Sequence, residues 1–378
     1  MIAPATRVAD PVSATEAMTV LHATEPATVY LSLHARVHDL TVTDVDSVFQ
    51  DERRLVKQLA MRRTLFVFPR ELLPAAWGSA SARVAGPLAA RLAQEVQLAG
   101  LAQDGVVWLE AARSAVLEQL AGGAELTAAE LREQVPALAG RMNLAADKSY
   151  GGNFPVGPRV LTQLGVEGLI VRGRNAGHWR VSRPQWTLME RWLGELPEPW
   201  PEQDGYAEVV RRWLRTFGPG TGPDLQWWLG GTAAIVRTAL AAVEACPVSL
   251  DGGGIGYVLA EDLEPVPEPE PWAALLPVLD PTVMGWKQRD FFLGAHASSV
   301  FDRNGNAGTT AWWEGRIVGC WVQDPDAAVR VVLLEDVGAE GVRALAVEAE
   351  RLTNWLDGVK VGTVYPSPAM KAALASPG

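Results

Sequence analysis

The chain has 378 residues, 48% hydrophobic and 20% charged, with a formal net charge of −11. That length exceeds what one hydrophobic core usually holds, so two to four domains are expected, and the composition excludes a disordered or fibrous protein. The acidic balance excludes a uniformly basic nucleic-acid-binding surface, no apolar run is long enough to cross a bilayer, and the two cysteines, Cys246 and Cys320, sit in no CxxC or Cys/His cluster, which fits a reduced cytosolic protein without a structural zinc.

The first segment reads as helices at 13–23, 26–37, 43–50 and 54–61, a strand at 64–69 ("TLFVFP") and a long helix at about 83–101. Within it, "VLHATEPATVYLSLHARV" (20–37) places Val20, Leu21, Val29, Tyr30, Leu33 and Val37 on a packed face. Pro26 and the polar set His22, Thr24 and Glu25 interrupt that face. Three polar groups at a helix break are either a cap or a reactive site.

In 106–183, a helical run "VVWLEAARSAVLEQLA" is followed by "LTAAELREQVP", where Thr127 and Glu130 have capping-box spacing. A third helical stretch, "VGPRVLTQLGVEG", leads into "LIVRGRNAGHWRVS", two strands around an Asn-Ala-Gly turn. Residues 205–262 repeat the order: helices "YAEVVRRWLRTFG", "TGPDLQWWLGG" and "TAAIVRTALAAVEA", then a Gly-rich hairpin "VSLDGGGIGYVLAED". Three helices and a two-stranded hairpin form the winged helix-turn-helix plan. The "DGGGIG" run (251–256) does not open a helix, so it reads as a wing turn rather than a phosphate loop.

Two Pro/acid-rich stretches, "LPEPWPEQDG" (196–205) and "EPVPEPEPW" (264–272), read as linkers or surface straps. They divide the chain into 1–100, 101–196, 205–263 and 272–378. The last segment carries a hairpin, Trp312/Trp313 and 316–322 around Glu314-Gly315, then a further strand and a helix at 338–357, a small α/β cap.

Charge is distributed unevenly. Residues 51–70 hold six Lys/Arg against Asp51 and Glu52, residues 141–183 hold seven against Asp147 and Glu167, and residues 251–270 hold six acids and no base. Such basic runs are either solvated faces or local phosphate-binding surfaces.

Taken together, "LHATEPATVYLSLHARV", "DERRLVKQLAMRRTLFVFP", "FGPGTGPDLQWW" and "LLPVLDPTVMGWKQRDFFL…NAGTTAWWEGRIVGCW" resemble the AlkZ/YcaQ-like DNA glycosylases, also described as winged helix DNA-binding domain-containing proteins. The resemblance spans nearly the whole chain. It implies a mainly α fold with small β hairpins, three tandem winged helix-turn-helix units in a C-shape around duplex DNA, and a C-terminal α/β cap. It also implies hydrolysis of the N-glycosidic bond of alkylated purines. Family members carry Gln-x-Gln or Gln-x-Asp followed by an acidic residue and Pro; here those positions are His22-Ala23-Thr24, then Glu25-Pro26.

An N7-alkyl purine is cationic and already a good leaving group, so such an enzyme needs no metal, cofactor or covalent nucleophile. Neutral His22 is suited to accept the proton of the attacking water, Thr24 to orient that water, and Glu25 to stabilise developing positive charge or to cap the helix that Pro26 opens. The resemblance places Arg62 and Arg63 at the border of the DNA cleft. Arg159 falls in the recognition-helix position of the second unit, and Arg172, Arg174, His178 and Arg180 flank its wing and suit phosphate contacts. His34 and His38 are spaced i, i+4, but without a third ligand they read as a helix-end pair rather than a zinc site. Asp280 matches an acidic position of the family's C-terminal motif and reads as structural. Of the adjacent pairs Trp227/Trp228 and Trp312/Trp313, one member each is expected in the core.

The expected protein is a cytoplasmic monomer, nucleoid-associated when bound, with double-stranded DNA as its partner and no membrane contact. Its function is that of a DNA glycosylase with an altered catalytic motif; the alternative is a non-catalytic winged-helix DNA-binding or regulatory protein.

Overall fold

The computed structural model describes residues 2–144 and 152–375; Lys148 of the second basic run lies outside them. The described chain is mainly helical with small antiparallel sheets. It forms two compact units, one built from Met1–Asp46 with Val210–Gly378, the other from Ser47–Val209.

In the first unit, Asp10 caps the helix Pro11–Ala17 by accepting from the backbone amides of Val12 and Ser13. The helix expected over 13–23 stops there, because Thr19 turns left-handed at φ 65° and Leu21–His22 continue extended as a two-residue strand. The next helix, Pro26–His34, starts at the proline as expected but ends before residue 37. Its last turn is unwound by competition: Val8 donates to the Arg36 carbonyl at 2.9 Å and accepts from His38 at 3.0 Å, so 36–38 run alongside Val8 instead of extending the helix.

Later in this unit, Thr221 and Asp224 form a reciprocal capping box on the helix Gly222–Leu229, which is followed by the helix Ala233–Ala242 and the hairpin Cys246–Ser249/Ile255–Val258. Asp251 and the glycine run 252–254 lie in the turn of that hairpin, as the sequence implied. A four-stranded antiparallel meander follows: Ala273–Leu276, Thr310–Trp313, Arg316–Gln323 and Val329–Leu333. Its central hairpin turns at Glu314 and Gly315, both left-handed, the pairing that suits the twist of two-residue hairpins. The helix Gly338–Leu356 packs across the sheet. Leu276, Leu279, Val283, Phe292, Val300, Trp312 and Ile317 fill the core, with Trp227 at its edge. Trp228 and Trp312 are buried while Trp227 and Trp313 are partly exposed, one member of each pair in the core.

The second unit corrects two sequence readings. Residues 54–61, which scan as a helix, contain the strand Leu55–Leu59, paired antiparallel with Leu65–Pro69. Cross-strand bonds satisfy this backbone, and left-handed Arg62 and Arg63 (φ 54° and 57°) shape the turn. Buried Gln58 then donates its amide to the carbonyls of Gly165 and Val166 at the C-terminal end of the helix Gly157–Val166. The second correction is the hairpin after that helix. Ile170–Asn175 pairs with Pro184–Leu188, not with residues around 178–182, so 176–183 form a longer loop. Asn175 organises it: its side-chain amide reaches the carbonyls of Gly177, His178 and Val181 and accepts from the Arg183 amide.

The remaining helices follow the sequence closely. Ala82–Leu98, Gly105–Ala121 (capped by Asp104) and Ala128–Gln134 (with the Thr127/Glu130 capping box complete) enclose Leu92, Val96, Val116, Leu120, Leu131, Val160 and Leu164. The proline-rich stretch 196–205 lies within this unit rather than hanging free: Trp200 donates to the Pro74 carbonyl at 3.0 Å, and a Cβ at Gly78 would overlap the Trp200 carbonyl. Among the described residues no helix is long and apolar enough to cross a membrane, and no group of three or more His, Cys, Asp or Glu is placed to hold a metal ion.

Candidate functional site

The broken stretch resolves into three environments within four residues. His22 ends the short strand with its ring buried, 5% exposed. Thr24, two residues on, lies in a bend and is exposed. Glu25 occupies the N-cap position of the helix Pro26–His34, in extended backbone, but its carboxylate does not cap. It turns away and accepts from the Thr363 hydroxyl at 2.9 Å and the Val364 amide at 2.7 Å, both through Oε1. The cap expected of Thr24 or Glu25 is thus replaced by a long-range clasp. Burial raises the Glu25 carboxyl above the usual carboxylate range, with the Val364 and Thr363 hydrogen bonds opposing.

The helix that follows is fixed to the unit's core by buried polar contacts. Arg36 and Asp280, both with fully buried side chains, pair through two bonds of 2.7 and 2.9 Å. Asp280 also accepts from Ser32 Oγ and the Thr282 amide, and Arg36 donates to the Ser32 carbonyl and the Thr282 hydroxyl. Every contact of Asp280 is inward, which is the structural role expected for it. His34 is buried, 4.9 Å from the Trp355 ring and 2.8 Å from Arg351 Nη1. Burial, followed by the charges of Arg351 and Arg7, holds its imidazole well below the usual histidine range. A neutral ring accepting from a guanidinium accounts for His34 without zinc, and His38 is exposed.

The basic candidates lie in the second unit, and the structure sorts them. In the first basic run, Arg53 donates to the Trp192 carbonyl and covers the Trp192 ring at 4.4 Å, and Arg70 donates to the Leu193 carbonyl; both finish the short helix Met189–Leu193. Arg62 is half-buried and Arg63 exposed at the hairpin turn. In the second run, Arg159 is paired with Glu95, which also holds Arg91 at 2.9 Å. Arg172 lies over the Trp186 ring at 5.0 Å, and burial pushes its guanidinium below the usual range. Arg174, His178 and Arg180 are exposed on the strand and loop that Asn175 organises, and exposed Arg183 belongs to the same loop. Arg174 reaches Asp51 at 3.3 Å; Arg63 and Arg180 have no ion-pair partner among the described residues. The structure therefore gathers Arg174 at the strand end with His178, Arg180 and Arg183 on the adjoining loop and turns Arg159 and Arg172 to internal contacts.

A cavity of about 400 Å³ opens in the first unit beside Glu25. Leu31, Val278, Trp321 and Met370 form much of its wall, and the segment carrying Lys360 and Thr363 closes one side. Nothing local in the sequence marks it, because its lining comes from positions more than 300 residues apart.

The family model described as "DNA glycosylase AlkZ-like" matches residues 15–355. Among solved structures, Streptomyces sahachiroi DNA glycosylase AlkZ superposes with a TM-score of 0.71 at 19% identity, covering 93% of each chain. No curated protein matches by sequence. The chain belongs to the AlkZ-like DNA glycosylase family, and so to a class of DNA-binding repair enzymes.

Proposed function

We propose that this protein is a monofunctional glycosylase that hydrolyses the N-glycosidic bond of alkylated purines in duplex DNA, with His22 and Thr24 handling the water. The observation that carries the reading is a buried imidazole two residues from an exposed hydroxyl where the segment leaves strand for helix. The water oxygen bonds to C1′ as the C1′–N bond breaks, and the bond pair leaves with the cationic base, which becomes neutral. His22 takes the water's proton, and Thr24 orients its oxygen. Glu25, its carboxylate turned to Thr363 and Val364 in a clasp that holds the turn, is assigned to favour the positive charge that develops on the sugar.

In this reading the chain is a monomer built from three winged-helix units and a C-terminal cap, divided near 1–100, 101–196, 205–263 and 272–378. It works in the cytoplasm, nucleoid-associated when bound. Arg62, Arg63, Arg174, His178 and Arg180 contact backbone phosphates; Arg159 and Arg172 join them if duplex binding draws them from Glu95 and Trp186.

The test is base release from duplex containing N7-methylguanine, scored as alkali-labile sites, alongside duplex binding. His22→Ala is expected to lower the single-turnover rate by about 10²–10⁴-fold, the usual contribution of a positioned general base, with duplex affinity within about threefold of wild type. Duplex binding by the wild-type protein with no release from several alkyl lesions would overturn the proposal in favour of a non-catalytic binder.

A further inference from the structure

We infer that the cavity beside Glu25 is a binding site for a free purine-like base: a flat heterocycle with an N–H donor on one edge and an acceptor on another. The inference rests on the proposed glycosylase reading, since that reaction releases such a molecule.

Three observations support it. The first is size. About 400 Å³ is near the lower end of small-molecule sites, roughly 300–1,000 Å³, and suits a substituted bicyclic ring better than a nucleotide with sugar and phosphate. The second is the wall. Leu31, Val278, Val322, Trp321 and Met370 make it apolar, with an indole and a polarisable thioether that suit an aromatic face.

The third is the placement of polar atoms. The lining hydroxyls and amides are already engaged: Thr28 donates to the Val278 carbonyl, Thr309 to the Trp321 carbonyl, Trp321 to the Leu276 carbonyl, and Gln323 to the Ala327 and Val359 carbonyls. Both hydrogen bonds to Glu25 fall on Oε1, which leaves Oε2 as an acceptor, and exposed Lys360 supplies a donor on the 358–367 segment. A carboxylate oxygen and an ammonium around an apolar slot match a base edge that donates through N–H and accepts through a carbonyl or ring nitrogen. A purely hydrocarbon ligand would leave the acceptor unused.

The experiment is calorimetric titration of the full-length protein with free 7-methylguanine, free adenine and an apolar control of similar size, naphthalene-2-methanol. Saturable binding of the purines is expected, with the control at least tenfold weaker. Lys360→Ala, at an exposed position, should weaken purine binding about 3- to 10-fold. Leu374→Trp, at the cavity rim where the wild-type side chain is 56% exposed, should abolish it without unfolding the protein. No purine binding, or purine binding unchanged in Leu374→Trp, overturns the inference, as does preference for the apolar control. The two proposals fail separately. Base release from duplex without purine binding removes this site and leaves the glycosylase reading, whereas purine binding without base release removes the glycosylase reading and leaves the site.

Discussion

Asp280→Ala isolates the most deeply buried charge in the described chain. The substitution removes both carboxylate oxygens from Arg36, whose guanidinium loses bonds of 2.7 and 2.9 Å while remaining fully buried. The Ser32 carbonyl and the Thr282 hydroxyl still accept from it, but neither carries charge. An ion left without its counter-charge in the interior costs about 3–5 kcal/mol. With a urea slope of about 3 kcal/mol/M, that lowers the unfolding midpoint by about 1–1.7 M. The assay is urea unfolding of the first unit followed by tryptophan fluorescence, helped by the buried Trp312 and Trp228. Arg36→Met combined with Asp280→Ala should lose less than the sum of the two single variants, because the double variant strands no charge. A midpoint shift below about 0.3 M for Asp280→Ala, or strict additivity in the double variant, would refute the account of the pair.

Glu25→Gln keeps an acceptor oxygen for Thr363 and Val364 but removes the ionisation. Burial raises the wild-type carboxyl, so its contribution to stability is fully present below the unfolded-state pKa and is lost as pH rises through the raised folded-state value. As pH rises from below the usual carboxylate range through the raised folded-state value, the stability of wild type relative to Glu25→Gln should therefore fall; thermal melts of the two proteins giving a pH-independent difference would contradict this. For Arg180→Ala, binding to unrelated duplexes should weaken to the same degree and the slope of log K against log salt should drop by about 1, measured by fluorescence anisotropy over a salt series. An unchanged slope would take Arg180 out of the phosphate contacts.

Much of the architecture was legible because it depends on interactions within a few residues. Thr127 with Glu130 announces a helix start through a capping box that the structure completes. Pro26 marks where its helix begins, and Glu314-Gly315 marks a tight hairpin. The misread elements are those in which a distant partner outweighed local pattern. Residues 55–59 scan as helical yet gain a full ladder from Leu65–Pro69, and 36–38 leave the helix to run beside Val8. The second strand of this hairpin lies at Pro184–Leu188 because Asn175 binds the intervening loop through four hydrogen bonds, a pattern visible only once its partners are placed.

The candidate site divides in the same way. The residue types at the break before Pro26 come from the sequence alone: an imidazole, a hydroxyl and a carboxylate in four positions, together with the family to which the whole pattern belongs. Their environments do not. Burial of His22 and exposure of Thr24 follow from packing, and the turn of Glu25 toward Thr363 and the pairing of Arg159 with Glu95 are made with partners 338 and 64 residues away. Local sequence sets backbone preference through sterics and neighbouring hydrogen bonds, whereas burial and charge pairing depend on which distant surfaces meet, and only the tertiary structure brings them together.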